Sequence, residues 1–219
     1  MLRKLGFMLK PYLNKGVLEA GIDEAGRGPL FGRVYTAAVI IPQDETFQQP
    51  FIRDSKRLSE RKRLLAYDFI KENAIDYSIA YEEHSDIDKF NIYNATYSCM
   101  HKSLNNLIVR PEFILVDGSE FQIYLEEGNI VPHRCLVKGD DLYAPIAAAS
   151  ILAKVSHDKW ILEMCEKYPL LDEYYQLSKN KGYGTKAHMD GIKKYGISPW
   201  HRLSFSVCRG RAINKHFTK

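Results

Sequence analysis

Two adjacent carboxylates, Asp23 and Glu24, end a short apolar run that begins at Val17, and a glycine-rich turn follows them at once. Gly26, Gly28 and Gly32 enclose Arg27 and Pro29, and the β-branched and small-residue run from Val34 to Ile41 then reads as a second strand. The pattern predicts a hairpin with acids on one side of its mouth and exposed backbone N–H groups plus an arginine on the other. Carboxylates hold hard divalent cations, and glycine backbone lets a phosphate or sugar come close. A site offering both suits chemistry on a phosphodiester. A single charged hairpin loop would not, so the question is whether more carboxylates arrive at other strand ends.

They do. Phe113-Ile114-Leu115-Val116 has the continuous apolar character of a central strand buried on both faces, and it ends in Asp117-Gly118. Cys135-Leu136-Val137-Lys138 reads as a fifth strand, ending in Gly139-Asp140. In open α/β sheets, strand ends beside a crossover are where sites are built. Four carboxylates gathered there would repel one another unless a cation neutralised them. Oxygen-only ligands favour Mg²⁺ or Mn²⁺ over zinc. A pair of such ions about 4 Å apart activates water and stabilises a leaving oxygen. Consecutive strand residues face opposite sides, so Asp23 and Glu24 share one cleft only if the strand bends, as the Ala25-Gly26 turn allows.

Other chemistries lack their signatures. Gly26 to Gly32 has a spacing one residue too long for a dinucleotide fingerprint, and a strand follows where a helix should start. There is no P-loop or nucleophile elbow, and the seven histidines show no metal-ligand spacing. His201, next to Arg202, reads as a phosphate contact or a surface pair. The 219 residues are 45% hydrophobic and 26% charged, as in ordinary soluble domains, and the net charge of +4 is compatible with a nucleic-acid partner. Cys99, Cys135, Cys165 and Cys208 are scattered without C-x-x-C spacing, which suits reduced thiols in the cytoplasm. No apolar run approaches the roughly 18 residues needed to span a bilayer.

The elements that must position the acids can be read in order. Residues 1–16 read as a loosely held basic lead-in. Ser59 is an N-cap for a helix from Glu60 to about Asn73 with Leu65 and Phe69 on its inner face. Tyr77, Ile79 and Tyr81 alternate as a third strand, which makes an antiparallel start to a sheet. Asn91 caps a helix from Ile92 to about Leu107 with Cys99, Met100, Leu104 and Ile108 inward, and Pro111 stops it. Ser119 to His133 carries no clear element. Pro145 opens a helix to about Cys165 whose alanine run, Ala147-Ala148-Ala149, lets it lie very close to its neighbour. Thr185 caps a last helix ending at Tyr195 and Gly196. The basic tail from residue 207 reads as mobile.

Taken together, these residues resemble the ribonuclease HII family, the type 2 ribonucleases H. The resemblance is carried by Gly21-Ile-Asp-Glu-Ala-Gly-Arg-Gly-Pro-Leu30, Asp54-Ser55-Lys56-Arg57-Leu58-Ser59, Val116-Asp117-Gly118 and Lys138-Gly139-Asp140. It continues through Ile146 to Val155, Lys181 to Thr185, and His201-Arg202-Leu203-Ser204-Phe205, in order over residues 17–206. It implies an α/β, RNase H-like fold: a five-stranded mixed sheet flanked by helices, with a small helical C-terminal part from about residue 166. The catalytic domain would span residues 17–206, between the lead-in and a tail over residues 207–219. It further implies hydrolysis of the RNA strand of RNA/DNA hybrids and incision 5′ of single ribonucleotides in duplex DNA, leaving 3′-hydroxyl and 5′-phosphate ends. Such an enzyme serves ribonucleotide excision repair and DNA replication, as a cytoplasmic monomer.

By the same resemblance, Asp23, Glu24, Asp117 and Asp140 fall on the catalytic positions that bind two Mg²⁺ or Mn²⁺ ions. The Gly26-Arg27-Gly28 backbone falls on the part that reads the 2′-hydroxyl, and Tyr183 on the tyrosine that packs on the adjacent deoxyribose. The 2′-hydroxyl is what distinguishes the two sugars, and glycine permits the approach needed to reach it. Lys56 is included as a substrate-binding residue; Lys56 and Lys154 are otherwise solvated lysines that can reach phosphate. Ser150, in the alanine-rich helix, can face the DNA. Arg33, Tyr143 and Ser156-His157-Asp158 depart from the usual pattern without touching the four acids. Ribonuclease HIII fits less well, because its glycine motif differs and it carries an additional N-terminal domain. Two rivals remain on the residues alone: a general nuclease of the same fold, and a non-catalytic nucleic-acid-binding module.

Overall fold

The computed structural model describes residues 8–47, 49, 51, 52, 55 and 58–217. Strands β1 (Glu19–Ala25) and β2 (Val34–Ile40) form the expected hairpin, with β3 (Asp76–Glu82) antiparallel beyond it. On the other side, β4 (Phe113–Asp117) and β7 (His133–Leu136) run parallel to β1, which completes a mixed five-stranded sheet of order β3-β2-β1-β4-β7. A hairpin of β5 (Tyr124–Glu126) and β6 (Asn129–Val131) occupies the stretch without a clear sequence signal. Its two-residue turn, Glu127-Gly128, has both φ angles positive, the backbone that a right-twisted hairpin prefers.

Helices cover both faces. α1 (Glu60–Asn73) begins at Ser59, whose side chain accepts the Lys62 N–H. Its buried residues are Ala66 and Ile70, whereas Leu65, expected inward, is 58% exposed. Small Ala66 allows a close approach to the core, and Phe69 at the edge packs against Phe47 and Phe51. α2 (His84–Asn105) contains the predicted cap as an internal kink: Asn91 has φ 65 and ψ 164, and its Oδ1 accepts the N–H groups of Tyr93 and Asn94. The turns before Asn91 were not expected. Ile108 is 87% exposed because the helix has ended, and Leu107 takes the buried place.

α3 (Ala144–Lys167) is the long alanine-rich helix, and it lies against β1 as its composition requires. A methyl group on Gly21 would overlap the Pro145 carbonyl and the Ile146 nitrogen. Beyond it, α4 (Pro169–Tyr175), α5 (Leu177–Asn180) and α6 (Lys186–Tyr195) form a small helical part. Its own apolar cluster includes Phe31, Ile161, Leu171, Tyr175 and Ile192. α6 starts at Thr185 and ends at Gly196, as read from the sequence.

The described parts of both ends, residues 8–16 and 207–217, are better held than their composition suggests. Lys10 exchanges backbone hydrogen bonds with Leu142 and Ala144, and the N–H groups of Leu13 and Asn14 reach Glu19. In the tail, Ile197 pairs with Ala212 and Asn214, and Phe217 lies against Tyr175 and Trp200. Among the described residues no helix is long and apolar enough to cross a membrane.

The Gly21–α3 contact yields a sharp expectation. Gly21→Ala has no flexible side chain to displace, so it should cost about 3 kcal/mol or more of unfolding free energy, the upper range of overpacking. Denaturant unfolding measures it, and a loss below about 1 kcal/mol would show that α3 is free to move away from the sheet.

Candidate active site

Strand alternation sends Asp23 and Glu24 to different sides of β1, yet both serve the strand end. Asp23 lies on the α3 side with Gly21 and is buried. Its carboxyl accepts the Glu24 N–H at 2.7 Å and a hydrogen bond from Ser150. Burial, then the charges of Glu24 and Asp117, push its pKa well above the usual carboxylate value, against the opposing hydrogen bonds. Glu24 is more open and meets Arg27 at 3.1 Å. Asp117, at the end of β4, accepts the Gly139 N–H at 2.7 Å. Asp23, Glu24 and Asp117 are therefore one electrostatic group.

Asp140 is placed differently from the expectation. β7 stops at Leu136, Lys138 adopts a left-handed conformation, and Gly139–Asp141 is a single 3₁₀ turn. Asp140 thus sits on the turn that carries the chain from the sheet into α3, not on a strand end. It is buried, and it is tied to Asp117 through the adjacent Gly139 N–H.

Glu24, the Gly26-Arg27-Gly28 backbone, Ser150, Lys154 and Tyr183 line one open cleft of about 470 Å³. Gly26 has φ +93, and a Cβ there would stand 2.7 Å from the His157 ring. Gly28 faces Tyr183, whose ring would lie 3.3 Å from a Cβ at this position. Tyr183 is 41% exposed, as a surface that receives a ligand must be. The Arg27 guanidinium lies over the Tyr93 ring at 5.1 Å. Lys154 pairs with Asp158 at 2.8 Å and approaches the Tyr183 ring to 5.7 Å. Lys56 and Asp54 lie outside the described residues.

Local sequence does not declare the structural roles of Ser55, Ser150, His188, His201 and Arg202. Ser55 and Ser150 share a hydrogen bond of 3.1 Å, and Ser150, which also lines the cleft, hydrogen-bonds the Asp23 carboxyl. The only mark of Ser150 in the sequence is its position as the lone hydroxyl in an alanine run. His201 and Arg202, expected at the surface, are both fully buried. Ser198 N–H donates to His201 Nδ1, so the His201 proton sits on Nε2 and is given to His188 Nε2 at 3.0 Å. His188 then donates from Nδ1 to the Tyr183 carbonyl at 3.0 Å. Arg202 bonds the glycine-rich loop, and burial pulls its pKa down to about 9, still charged at neutral pH. Neither His188 nor Arg202 had a local sequence signal, because their partners are distant in the chain.

The departures have structural uses. Arg33 bonds Glu83 at 2.6 Å and lies 3.9 Å over the Tyr81 ring. His157 is fully buried beneath Gly26 and bonded to Asp158 at 3.0 Å. Burial raises Asp158, but hydrogen bonds from His157 and Lys154 outweigh it and hold the carboxyl below its usual range.

The donor set at the strand ends is carboxylate oxygen, the chemistry of a hard divalent ion. Among the described residues no group of three or more His, Cys, Asp or Glu side chains is already arranged to hold a metal. Burial first and then the neighbouring charges of Glu24 and Asp117 raise Asp23, and a cation would relieve that crowding.

Comparison with known proteins gives this arrangement a class. Ribonuclease H2 from Pyrococcus horikoshii OT3 has the same fold, with a TM-score of 0.72 at 24% identity over 92% of this chain and 99% of that one. Bst-RNase HIII in complex with Mn²⁺ has a TM-score of 0.60 at 20% identity, over 88% of this chain and 68% of that one. The fold is that of the type 2 ribonucleases H. The family model for ribonuclease HII matches residues 20–208. Ribonuclease HII of Bacteroides thetaiotaomicron is 41% identical over 210 residues, covering 96% of this chain and all (100%) of that protein. The chain belongs to the ribonuclease HII family. It is accordingly a ribonuclease H, an endonucleolytic hydrolase of RNA/DNA hybrids.

The buried imidazoles make stability depend on pH. Burial holds His157 and His188 below the ordinary histidine value, and burial, with the adjacent His188 imidazole, holds His201 well below it. Unfolded, each takes a proton near about 6.5. Their contribution is therefore complete above that value and is lost as pH falls below it, while the folded imidazoles stay neutral. The denaturation midpoint should fall between pH 7.5 and pH 5.5. An unchanged midpoint would mean that the imidazoles accept protons without disturbing their hydrogen bonds.

Proposed function

We propose that this enzyme incises duplex DNA on the 5′ side of an embedded ribonucleotide as well as cutting RNA/DNA hybrids, leaving 3′-hydroxyl and 5′-phosphate ends. The observation that carries this reading is the composition of the cleft. Its lining joins Glu24, a member of the crowded group with Asp23 and Asp117, to glycine backbone facing an exposed tyrosine.

On this reading Asp23, Glu24, Asp117 and Asp140 hold two Mg²⁺ or Mn²⁺ ions, and the Mn²⁺ complex of Bst-RNase HIII supports the choice of metal type. When bound, the ions supply the charge that activates water and stabilises the leaving oxygen. The protein groups do the positioning. Ser150 holds the Asp23 carboxyl by a hydrogen bond, and the Gly139 N–H fixes Asp117. Gly26 and Gly28 let the sugar approach backbone, where an N–H can meet the 2′-hydroxyl. Tyr183 packs on the next deoxyribose, and Lys154 beside it offers a charge to phosphate. Lys56 belongs to the same substrate contacts. Residues 17–206 form the catalytic unit, acting as a monomer; the four unpaired thiols support a cytoplasmic setting.

Three labelled duplexes test the reading: all-DNA, DNA with one ribonucleotide, and an RNA/DNA hybrid, each with Mg²⁺ or Mn²⁺. Only the two that contain ribonucleotides should be cut. Asp117→Asn should lower the rate about two to three orders of magnitude, the scale of losing one electrostatic group in an active site. Tyr183→Ala should cost about tenfold or more at a single ribonucleotide. Cutting of the all-DNA duplex would favour a general nuclease, and binding without any cutting would favour a non-catalytic module.

Metal binding has its own readout without substrate. Mn²⁺ at about a hundredfold above its Kd should add about 2.7 kcal/mol to unfolding free energy. The gain should shrink in Asp23→Asn. An equal gain in both proteins would put the ion elsewhere.

A further inference from the structure

The reading edge of the cleft is shaped from beneath by Arg202. Its side chain is fully buried, and every one of its five N–H donors is used. Nε donates to the Gly32 carbonyl at 2.9 Å, and Nη1 donates to those of Arg27 and Pro29 at 3.0 and 2.8 Å. Nη2 donates to those of Gly26 and Arg33 at 2.6 and 3.0 Å. The nearby acid Asp88 is engaged elsewhere, accepting the N–H groups of Leu203 and Ser204. One planar cation thus gathers five carbonyls of the turn between β1 and β2.

This arrangement fixes where the N–H groups point. In a planar trans peptide the C=O and the following N–H face opposite ways. The peptides whose carbonyls bind Arg202 at Gly26 and Arg27 carry the N–H groups of Arg27 and Gly28. Those N–H groups therefore face away from the buried guanidinium, toward the cleft that residues 24–28 line. The same rule explains Leu30, whose N–H turns outward to the Gly182 carbonyl at 2.8 Å. That bond ties the turn to the Tyr183 loop.

We propose that Arg202 is the positioning residue behind sugar discrimination: by holding five carbonyls inward, it presents the Arg27 and Gly28 N–H groups to the ribose. This rests on the reading that residues 26–28 meet the substrate sugar. A lysine would keep the charge but carries three donors without the planar fork, so two carbonyls would lose their partner and the turn its shape.

The test uses the full chain carrying Asp117→Asn, which keeps bound duplex intact, and two labelled duplexes that differ by a single 2′-hydroxyl. The ratio of their dissociation constants is measured with Arg202 present and with Arg202→Lys. The ratio should fall about tenfold, the scale of one lost hydrogen bond, while affinity for the all-DNA duplex holds. Equal weakening of both duplexes, with the ratio kept, would mean that Arg202 only supports the fold and would overturn the proposal. If the Asp117→Asn parent itself shows no preference, the sugar-reading role of residues 26–28 fails first, and that failure is visible without any change at Arg202.

Amide hydrogen exchange gives a second measurement that does not depend on the lysine variant folding. The Arg27 and Gly28 amides should exchange fast in the free protein and slowly on the ribonucleotide duplex, but not on all-DNA. Slow exchange in the free protein would overturn the proposal.

Discussion

The close approach of α3 to β1 at Gly21 is the contact on which the site depends. Backbone meets backbone there, at Pro145 and Ile146, with no side chain between to take up slack. From that point the helix and the strand keep step. Eleven helix residues, from Ile146 to His157, rise about 16.5 Å, and five strand residues, from Gly21 to Gly26, advance about the same distance. Ser150 therefore arrives at Asp23, and His157 arrives beneath Gly26. Moving the helix by one residue would separate both pairs at once. The alanine run keeps the two elements close along this length, which explains why so little side-chain bulk occupies the middle of the protein.

The second organising feature is a division of charge. Acids end β1 and β4 and occupy the turn before α3, while the turn after β1 is backbone underlain by a cation. Burying a guanidinium is costly unless its donors are all matched, and at Arg202 they are. The arrangement stabilises a turn that otherwise has few internal bonds, since each buried carbonyl left without a donor costs about 1–3 kcal/mol. It also makes the C-terminal part integral to the site. Arg202 comes from that part, as do the Gly182 carbonyl that takes the Leu30 N–H and the Trp200 carbonyl that takes the Gly32 N–H.

Local pattern carried most of the fold. Ser59, Asn91 and Thr185 announce helix starts because a cap is a local device, and β1 to β4 follow from alternation or continuous burial. The acids were legible because they interrupt apolar strands. Leu65 was misplaced because helical spacing gives a stripe but not which of two adjacent stripes faces the core. Asp140 was put on a strand end because a left-handed Lys138 has no composition signal. Polarity alone makes His201 and Arg202 read as a phosphate contact or a surface pair. Their partners are the turn carbonyls, about 170 residues away in sequence for Arg202 (169 to 176), and a histidine on α6, and nothing in the neighbouring residues declares them.

The two buried networks of the C-terminal part also meet. His201 and Arg202 are consecutive, one bonded through His188 to the Tyr183 carbonyl and the other to the turn at residues 26–33. Consecutive residues on one tight segment cannot shift independently, so the tyrosine and the glycine turn move as one body. Each hydrogen bond of the histidine chain has a fixed direction, because Ser198 N–H can only donate. Both imidazoles are thereby held neutral, one with its proton on Nε2 and the other on Nδ1. A ligand placed between Tyr183 and Gly28 would then meet two surfaces whose spacing is set before it binds. Such preorganisation lowers the entropic cost of recognition, and on the proposed reading it suits a site that senses a single oxygen on a sugar.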